Sequence, residues 1–345
     1  MIPFAYDLPA DLIAQEPAPE RADARLMLVG RGSFDPEACE ARIRDLPGLL
    51  RRGDLLVVNR SRVLAARLVC RRVPGGGESE LLLVAPRAET RVDKRVIWRA
   101  LGRPARRLEP GRKLRVGEIE LEIVARDGPW LDVAFPADVD VHAVLARHGD
   151  VPLPPYIRRA AGATDADRVR YQTVFAREPG SVAAPTAGLH LTPEVLAGLG
   201  ANGVGIAEIV LHVGPATFLA GLPGRAPTEL EPETYLIPTT ARAAIAATRA
   251  TGGRVVAVGT TTTRALESAA SAGWPEGWQS TQLLISPGHT FRVVAGLLTN
   301  FHLPGTSLLA LVAAFAGTES CREAYAAAVR RRFRFYSYGD AMLIL

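Results

Sequence analysis

The alternation of apolar and polar residues changes period along the chain, and each change marks a change of architecture. Before residue 54 the signals are short and mixed: Asp11-Leu-Ile-Ala-Gln15 predicts a short helix and Arg25-Leu-Met-Leu-Val29 a strand. Asp54-Leu-Leu-Val-Val58 then runs apolar without interruption, as a buried strand does. From Val63 to about Phe135 the period becomes two. Glu118-Ile-Glu-Leu-Glu-Ile123 and Trp130-Leu-Asp-Val-Ala-Phe135 alternate, and Gly75-Gly-Gly77, Glu109-Pro-Gly111 and Asp127-Gly-Pro129 supply turns. Half-buried antiparallel strands joined by such turns predict a small β-barrel.

Beyond Asp138 helices and strands take turns. Val139–His148 predicts a helix ended by Gly149, Thr164-x-x-Asp167 is a capping box opening a helix through Tyr171-Gln-Thr-Val174, and Thr192-Pro-Glu194 starts another. Strands are expected over Ile206–Val213, Arg254–Val258, 281–285, near 292–298 and at the end of the chain. Helices are expected over 240–250, Arg264–Ala272, after Thr306 and over 319–332. Gly214–Ile237 is proline-rich and patternless, as lids, binding loops and disordered segments are. This order predicts an α/β protein with a largely parallel, covered sheet. The expected division is a discontinuous catalytic domain over 1–63 and 138–345, with an inserted β-barrel domain over 64–137.

Composition narrows the class. Apolar residues are 48% and charged residues 22% of the 345, a globular balance. The longest apolar run, Leu308–Ala316, is far short of a membrane span, and no basic segment followed by an apolar core opens the chain. Cys39, Cys70 and Cys321 lack metal-ligand spacing and suit a reducing cytoplasm. The net charge of +5 is uneven: eleven Lys/Arg face three acids between Arg87 and Arg115, and Arg330–Arg334 adds a second cluster. Such patches attract a polyanion; a solvated arginine-rich face is the plainer alternative.

Candidate chemistry centres on Val182-Ala-Ala-Pro-Thr-Ala-Gly-Leu-His190, which fits neither period. Pro185 forces extended backbone before it, Thr186 and His190 put polar groups into an apolar run, and Gly188 allows a bend or the close approach of a ligand. His212 ends one expected strand and His302 follows another. One such histidine is ordinarily a satisfied core residue; three near strand ends of an open α/β sheet suit acid–base work. No helical pair or acidic cluster accompanies them, so no metal is expected. Val258-Gly-Thr-Thr-Thr-Thr-Arg264 is a helix start lined with hydroxyls, suited to an anion or simply capped by its threonines. Arg264 and Glu267 would share one helical face. Tyr156, in Val151-Pro-Leu-Pro-Pro-Tyr-Ile157, is either a ring offered to a ligand or a packed anchor.

Taken in order, Pro152-Leu-Pro-Pro-Tyr-Ile157, Tyr171-Gln-Thr-Val174, Ala183–His190, Leu211-His-Val-Gly214, Val258-Gly-Thr-Thr261, Arg264-x-Leu-Glu-Ser268, Leu298-Thr-Asn-Phe-His-Leu-Pro304 and Phe335-x-Ser-Tyr-Gly-Asp-Ala-Met342 resemble the S-adenosylmethionine:tRNA ribosyltransferase-isomerases of queuosine biosynthesis. The resemblance runs from about Tyr6 to the carboxyl end. It implies an α/β domain interrupted by a β-barrel. It also implies transfer of the ribosyl part of S-adenosylmethionine to 7-aminomethyl-7-deazaguanine at the tRNA wobble position. Epoxyqueuosine forms, and adenine and methionine leave. No cofactor beyond that substrate is implied, and the expected partners are tRNA and S-adenosylmethionine, with no membrane and a monomer or small homo-oligomer.

The implied catalytic residues are His190, His212 and Glu231. The implied substrate-binding residues are Arg62, Tyr156, Tyr171, Pro185, Thr186, Gly188, Gly259, Thr260, Thr261, Arg264, Asn300 and His302. The chain departs from the family pattern at Arg60-Ser61, where Asn-Thr is usual, at Leu191 and Ser286, which replace aromatics, and at Thr228-Glu-Leu-Glu231-Pro-Glu233, where two histidines are expected. Those departures leave two alternatives: transfer to a non-tRNA small-molecule acceptor, or a catalytically inactive RNA-binding relative.

Overall fold

The computed structural model describes residues 4–87, 95–160, 162–219 and 230–345. Its larger sheet has nine strands. At the centre Gly205–Leu211, Leu55–Asn59, Val255–Val258 and Gly296–Asn300 lie side by side and parallel. Side chains alternate across it: Leu55, Val57, Val255 and Ala257 enter one apolar cluster, and Leu56, Val58, Val256 and Val258 another on the opposite face. Helices cover both faces, which explains the unbroken apolar runs.

Antiparallel pairing extends the parallel centre at both edges. Glu233–Leu236 and Gln279–Thr281 add to one side, and the last strand, Ala341–Ile344, runs back along Gly296–Asn300 on the other. Arg25–Val29 then pairs in parallel with that last strand and Glu40–Arg42 closes the edge.

The alternating stretch forms a six-stranded antiparallel barrel of Arg67–Val73, Glu78–Pro86, Val96–Arg103, Lys113–Val116, Ile119–Asp127 and Trp130–Phe135. It closes where Arg71–Val73 pair with Lys113–Arg115, and Gly149–Asp150 joins its outer edge. Leu121 and Ile123 point inward with Leu81, Leu114 and Val133. Glu120 and Glu122 point outward to Lys113 at 2.8 Å and Arg95 at 2.6 Å.

Several elements depart from expectation for identifiable reasons. Residues 11–15 keep only a 3-10 turn, Ala10–Leu12, between Pro9 and Pro17. The helix expected from Arg264 begins at Thr260, because the hydroxyls of Thr262 and Thr263 bond back to the carbonyls of Val258 and Gly259. The strand expected over 281–285 is Gln279–Thr281; Thr281 Oγ1 then takes the Leu283 N–H and turns the chain. The strand expected near 292–298 is Gly296–Asn300, since the N–H groups of Arg292, Val293 and Val294 go to the Glu267 carboxylate. The helix opened by Thr164 stops at Arg170 rather than running to Val174; Gln172 instead bonds both backbone groups of Val63. The segment read as patternless, 214–237, holds the helix Ala216–Leu219 and the strand Glu233–Leu236. Its residues 220–229, Thr228 among them, lie outside the described residues, as do 88–94 of the basic stretch.

Candidate functional site

A cleft of about 140 Å³ opens at the carboxyl ends of the central parallel strands, where open α/β sheets collect ligands. Local sequence dictates its walls. Val255–Val258 ends at Gly259, whose φ of +91° only glycine adopts cheaply, and the helix Thr260–Ser271 starts at once. Gly259, Thr260, Thr261 and Arg264 therefore meet the cleft on one side. Pro185 and Thr186 face it from the 3-10 turn Thr186–His190, while Asn300 and His302 face it from the end of the next strand. Tyr156 and Tyr171 complete the wall.

The site is rich in buried polar groups whose partners define its chemistry. Arg264 Nη1 donates to Glu233 Oε2 at 2.6 Å and Nε to the Leu283 carbonyl at 3.0 Å, while Nη2 has no partner. Glu233 Oε1 accepts from the Gly214 N–H at 2.9 Å. Among the described residues nothing takes up the hydroxyls of Thr260 and Thr261, so this helix start offers free donors beside a guanidinium. Tyr156 lies 3.9 Å from the Tyr336 ring and shares a 2.7 Å hydrogen bond with Ser337. Burial pushes the Tyr171 phenol up to about 12, and its hydroxyl is unpartnered. His302 Nε2 shares a 3.0 Å bond with Thr299, and burial pulls its pKa down to about 4.

Five of the residues expected at the site lie elsewhere. Arg62 is exposed on a short strand paired with Glu178–Ser181. Gly188 serves packing: a Cβ there would come within 3.0 Å of Phe175 and Thr173. His190 is not at a strand end but closes the 3-10 turn behind Asn300, to which Nε2 bonds at 3.1 Å. Burial, then the nearby Arg21 and Arg334, lower its pKa to about 4. His212 does follow a strand, yet its ring stacks on Trp278 at 5.0 Å and packs on Gly180, outside the cleft wall. Glu231 reaches toward Arg99 of the barrel at 3.8 Å. Among the described residues no group of three or more His, Cys, Asp or Glu side chains is placed to hold a metal.

Sequence reasoning underrated Glu233, Tyr336 and Ser337. Glu233 sat in an unpatterned loop with no local sign of its partner 31 residues on. Tyr336 and Ser337 lie within Phe335-x-Ser-Tyr-Gly-Asp, and the positive φ of Tyr336, 73°, marks that turn as special without being readable from composition.

The comparisons with known proteins agree with this layout. The family model described as "Queuosine biosynthesis protein" matches residues 1–344. An S-adenosylmethionine:tRNA ribosyltransferase-isomerase of Azoarcus sp. is 48% identical over 99% of this chain and 96% of its own length. The one from Thermus thermophilus is 47% identical over 99% and 98%. A crystal structure of S-adenosylmethionine tRNA ribosyltransferase from Thermotoga maritima, 35% identical, superposes with a TM-score of 0.56 over 99% of this chain and 100% of that one. With a match of that extent and a shared sheet-plus-barrel architecture, the chain belongs to the queuosine biosynthesis protein family.

Proposed function

We propose that this chain is an S-adenosylmethionine:tRNA ribosyltransferase-isomerase: it moves the ribosyl part of S-adenosylmethionine onto 7-aminomethyl-7-deazaguanine in tRNA and isomerises it, giving epoxyqueuosine, adenine and methionine. Its full-length relatives at 47–48% identity carry that enzyme's name. The single structural observation that supports the reading is the Gly259–Thr261 helix start, where the N–H groups and hydroxyls of Thr260 and Thr261 are free beside Arg264 in the cleft. It suits the methionyl carboxylate.

The chemistry asks for a base, because the sulfonium acidifies the adjacent C5′ hydrogens. Among the described residues the carboxylate and imidazole lining the cleft are Glu233 and His302. His190 acts from behind the wall through its bond to Asn300, and His212 stands apart from the cleft on Trp278. The barrel offers RNA phosphates its exposed Arg103, Arg106 and Arg107. No metal or redox cofactor enters this scheme. A tRNA substrate and three free, buried cysteines fit action in the cytoplasm, and no helix among the described residues is long and apolar enough to cross a membrane.

The test is adenine release on incubation with S-adenosylmethionine and deazaguanine-bearing tRNA. Release tracking the modified tRNA is expected. Release with the free base alone would replace tRNA by a small-molecule acceptor, and none with either would mean an inactive relative.

A further inference from the structure

We infer that Asn300 is the acceptor for the α-ammonium of the amino-acid part of the sulfonium substrate, with His190 behind it as a positioning residue. The inference rests on the reading of Gly259–Thr261 as the carboxylate site.

Asn300 is 2% exposed and lines the cleft. Its side-chain nitrogen has two hydrogens, and both are engaged: one goes to the Tyr336 carbonyl at 3.0 Å, the other to His190 Nε2 at 3.1 Å. A carbonyl can only accept, so the atom facing Tyr336 must be the amide nitrogen, and the amide cannot be flipped. Oδ1 is left buried without a partner. Such an acceptor is costly unless something donates to it, and a bound ligand with an N–H meets that need.

Position and charge say which donor. Val258 pairs with Leu298, and the Gly259 N–H bonds the Leu298 carbonyl at 2.8 Å. Asn300 and the Gly259–Thr261 helix start thus occupy the same end of neighbouring strands. A carboxylate held at that helix start brings an α-ammonium one carbon away. Both Glu233 oxygens are already taken, by Arg264 and Gly214. Among the described cleft residues, Asn300 Oδ1 is the unpartnered buried atom that can only accept.

His190 makes this orientation dependable. Its Nε2 must keep a lone pair to receive the Asn300 hydrogen, which puts the ring proton on Nδ1. A protonated ring would turn donor against donor. Burial at the end of the turn, with Arg21 and Arg334 nearby, keeps the imidazole neutral at physiological pH. Arg21 also fixes the turn by donating to the Leu189 carbonyl at 2.8 Å.

The test is equilibrium binding of S-adenosylmethionine beside its desamino analogue, which keeps the carboxylate, and its inosine analogue, which changes the base. The wild-type protein is expected to prefer S-adenosylmethionine over the desamino analogue by roughly 10- to 100-fold, the range for a hydrogen bond to a charged group. Asn300→Ala should bind both at the desamino level. His190→Leu should lose most of the preference, while His190→Gln, whose carbonyl can accept the same hydrogen, should keep it. Asn300→Ala retaining the preference overturns the assignment. So does an Asn300-dependent preference that appears against the inosine analogue alone. Should Asn300→Ala not fold, the His190 pair decides by the same ratio. A wild-type protein that binds no S-adenosylmethionine would instead remove the function on which the inference stands.

Discussion

Arg264 and Glu233 meet at 2.6 Å with both side chains more than nine-tenths buried, tying the helix Thr260–Ser271 to the strand Glu233–Leu236, next to last at its side of the sheet. Breaking a buried pair from one side leaves a lone charge in low dielectric, which costs about 3–5 kcal/mol. Glu233→Ala and Arg264→Ala should each lower the unfolding free energy by that order in urea titration. Replacing both together by leucine should recover much of the loss. Single variants within about 0.5 kcal/mol of the parent would mean that water screens the pair, as it does surface ion pairs.

The helix start makes a ligand-specific forecast. Thr260→Val and Thr261→Val keep the shape of the side chain and remove a hydroxyl. Each should weaken S-adenosylmethionine by the value of a charge-assisted hydrogen bond, roughly 10-fold or more, while adenosine binds as before. Equal weakening of both ligands would put the adenosine moiety at this turn instead.

The barrel makes an electrostatic one. Arg103, Arg106 and Arg107 are exposed on one corner, the last two within the 3-10 turn Ala105–Arg107. Reversing their charge should weaken tRNA binding without touching S-adenosylmethionine. It should also flatten the dependence of log K on log salt by roughly 0.7–0.9 for each phosphate that is no longer neutralised. An unaltered slope takes this corner out of the RNA footprint.

How far the sequence was legible follows from the range of each interaction. The barrel showed through the alternation of residues 118–123 and 130–135, and the parallel centre through runs such as Leu55–Val58, because one strand's period is local information. Helix starts at Thr164 and Thr192 were legible for the same reason, as caps span three residues. The side-chain partners were not. Arg264 and Glu267 were expected on one helical face, yet Arg264 turns to Glu233 and Glu267 to the backbone of residues 292–294. His190 read as a cleft residue because nothing near it in the chain reveals Asn300, 110 positions away, standing between it and the ligand space. Gly188 read as a place for a ligand to approach; the close neighbour is the ring of Phe175.

The buried histidines set the behaviour of the fold in acid. His190 and His302 have folded pKa values of about 4, both because burial disfavours the charged ring, with Arg21 and Arg334 adding to the effect at His190. In the unfolded chain each takes a proton near pH 6.5. Between about 6.5 and 4 the unfolded state therefore binds more protons, and stability falls as the pH falls through that window. One unit is worth about 1.4 kcal/mol, so each ring removes on the order of 3 kcal/mol by pH 4. Asp167 acts lower down. Burial would raise its carboxyl, but hydrogen bonds from Arg159, Thr164 and Tyr338 outweigh that and hold it well below the usual range. Its contribution is intact above about pH 3.8 and fades beneath it. Asp340, raised by burial, works in the opposite sense, so the informative quantity is the difference between variant and parent. In urea titrations at pH 7, 5.5 and 4.5, His302→Gln should lose less stability on acidification than the parent, and a variant lacking both rings less again. Parallel curves for all three proteins would show that these imidazoles do not set the acid limit, and the carboxylates would then have to account for it.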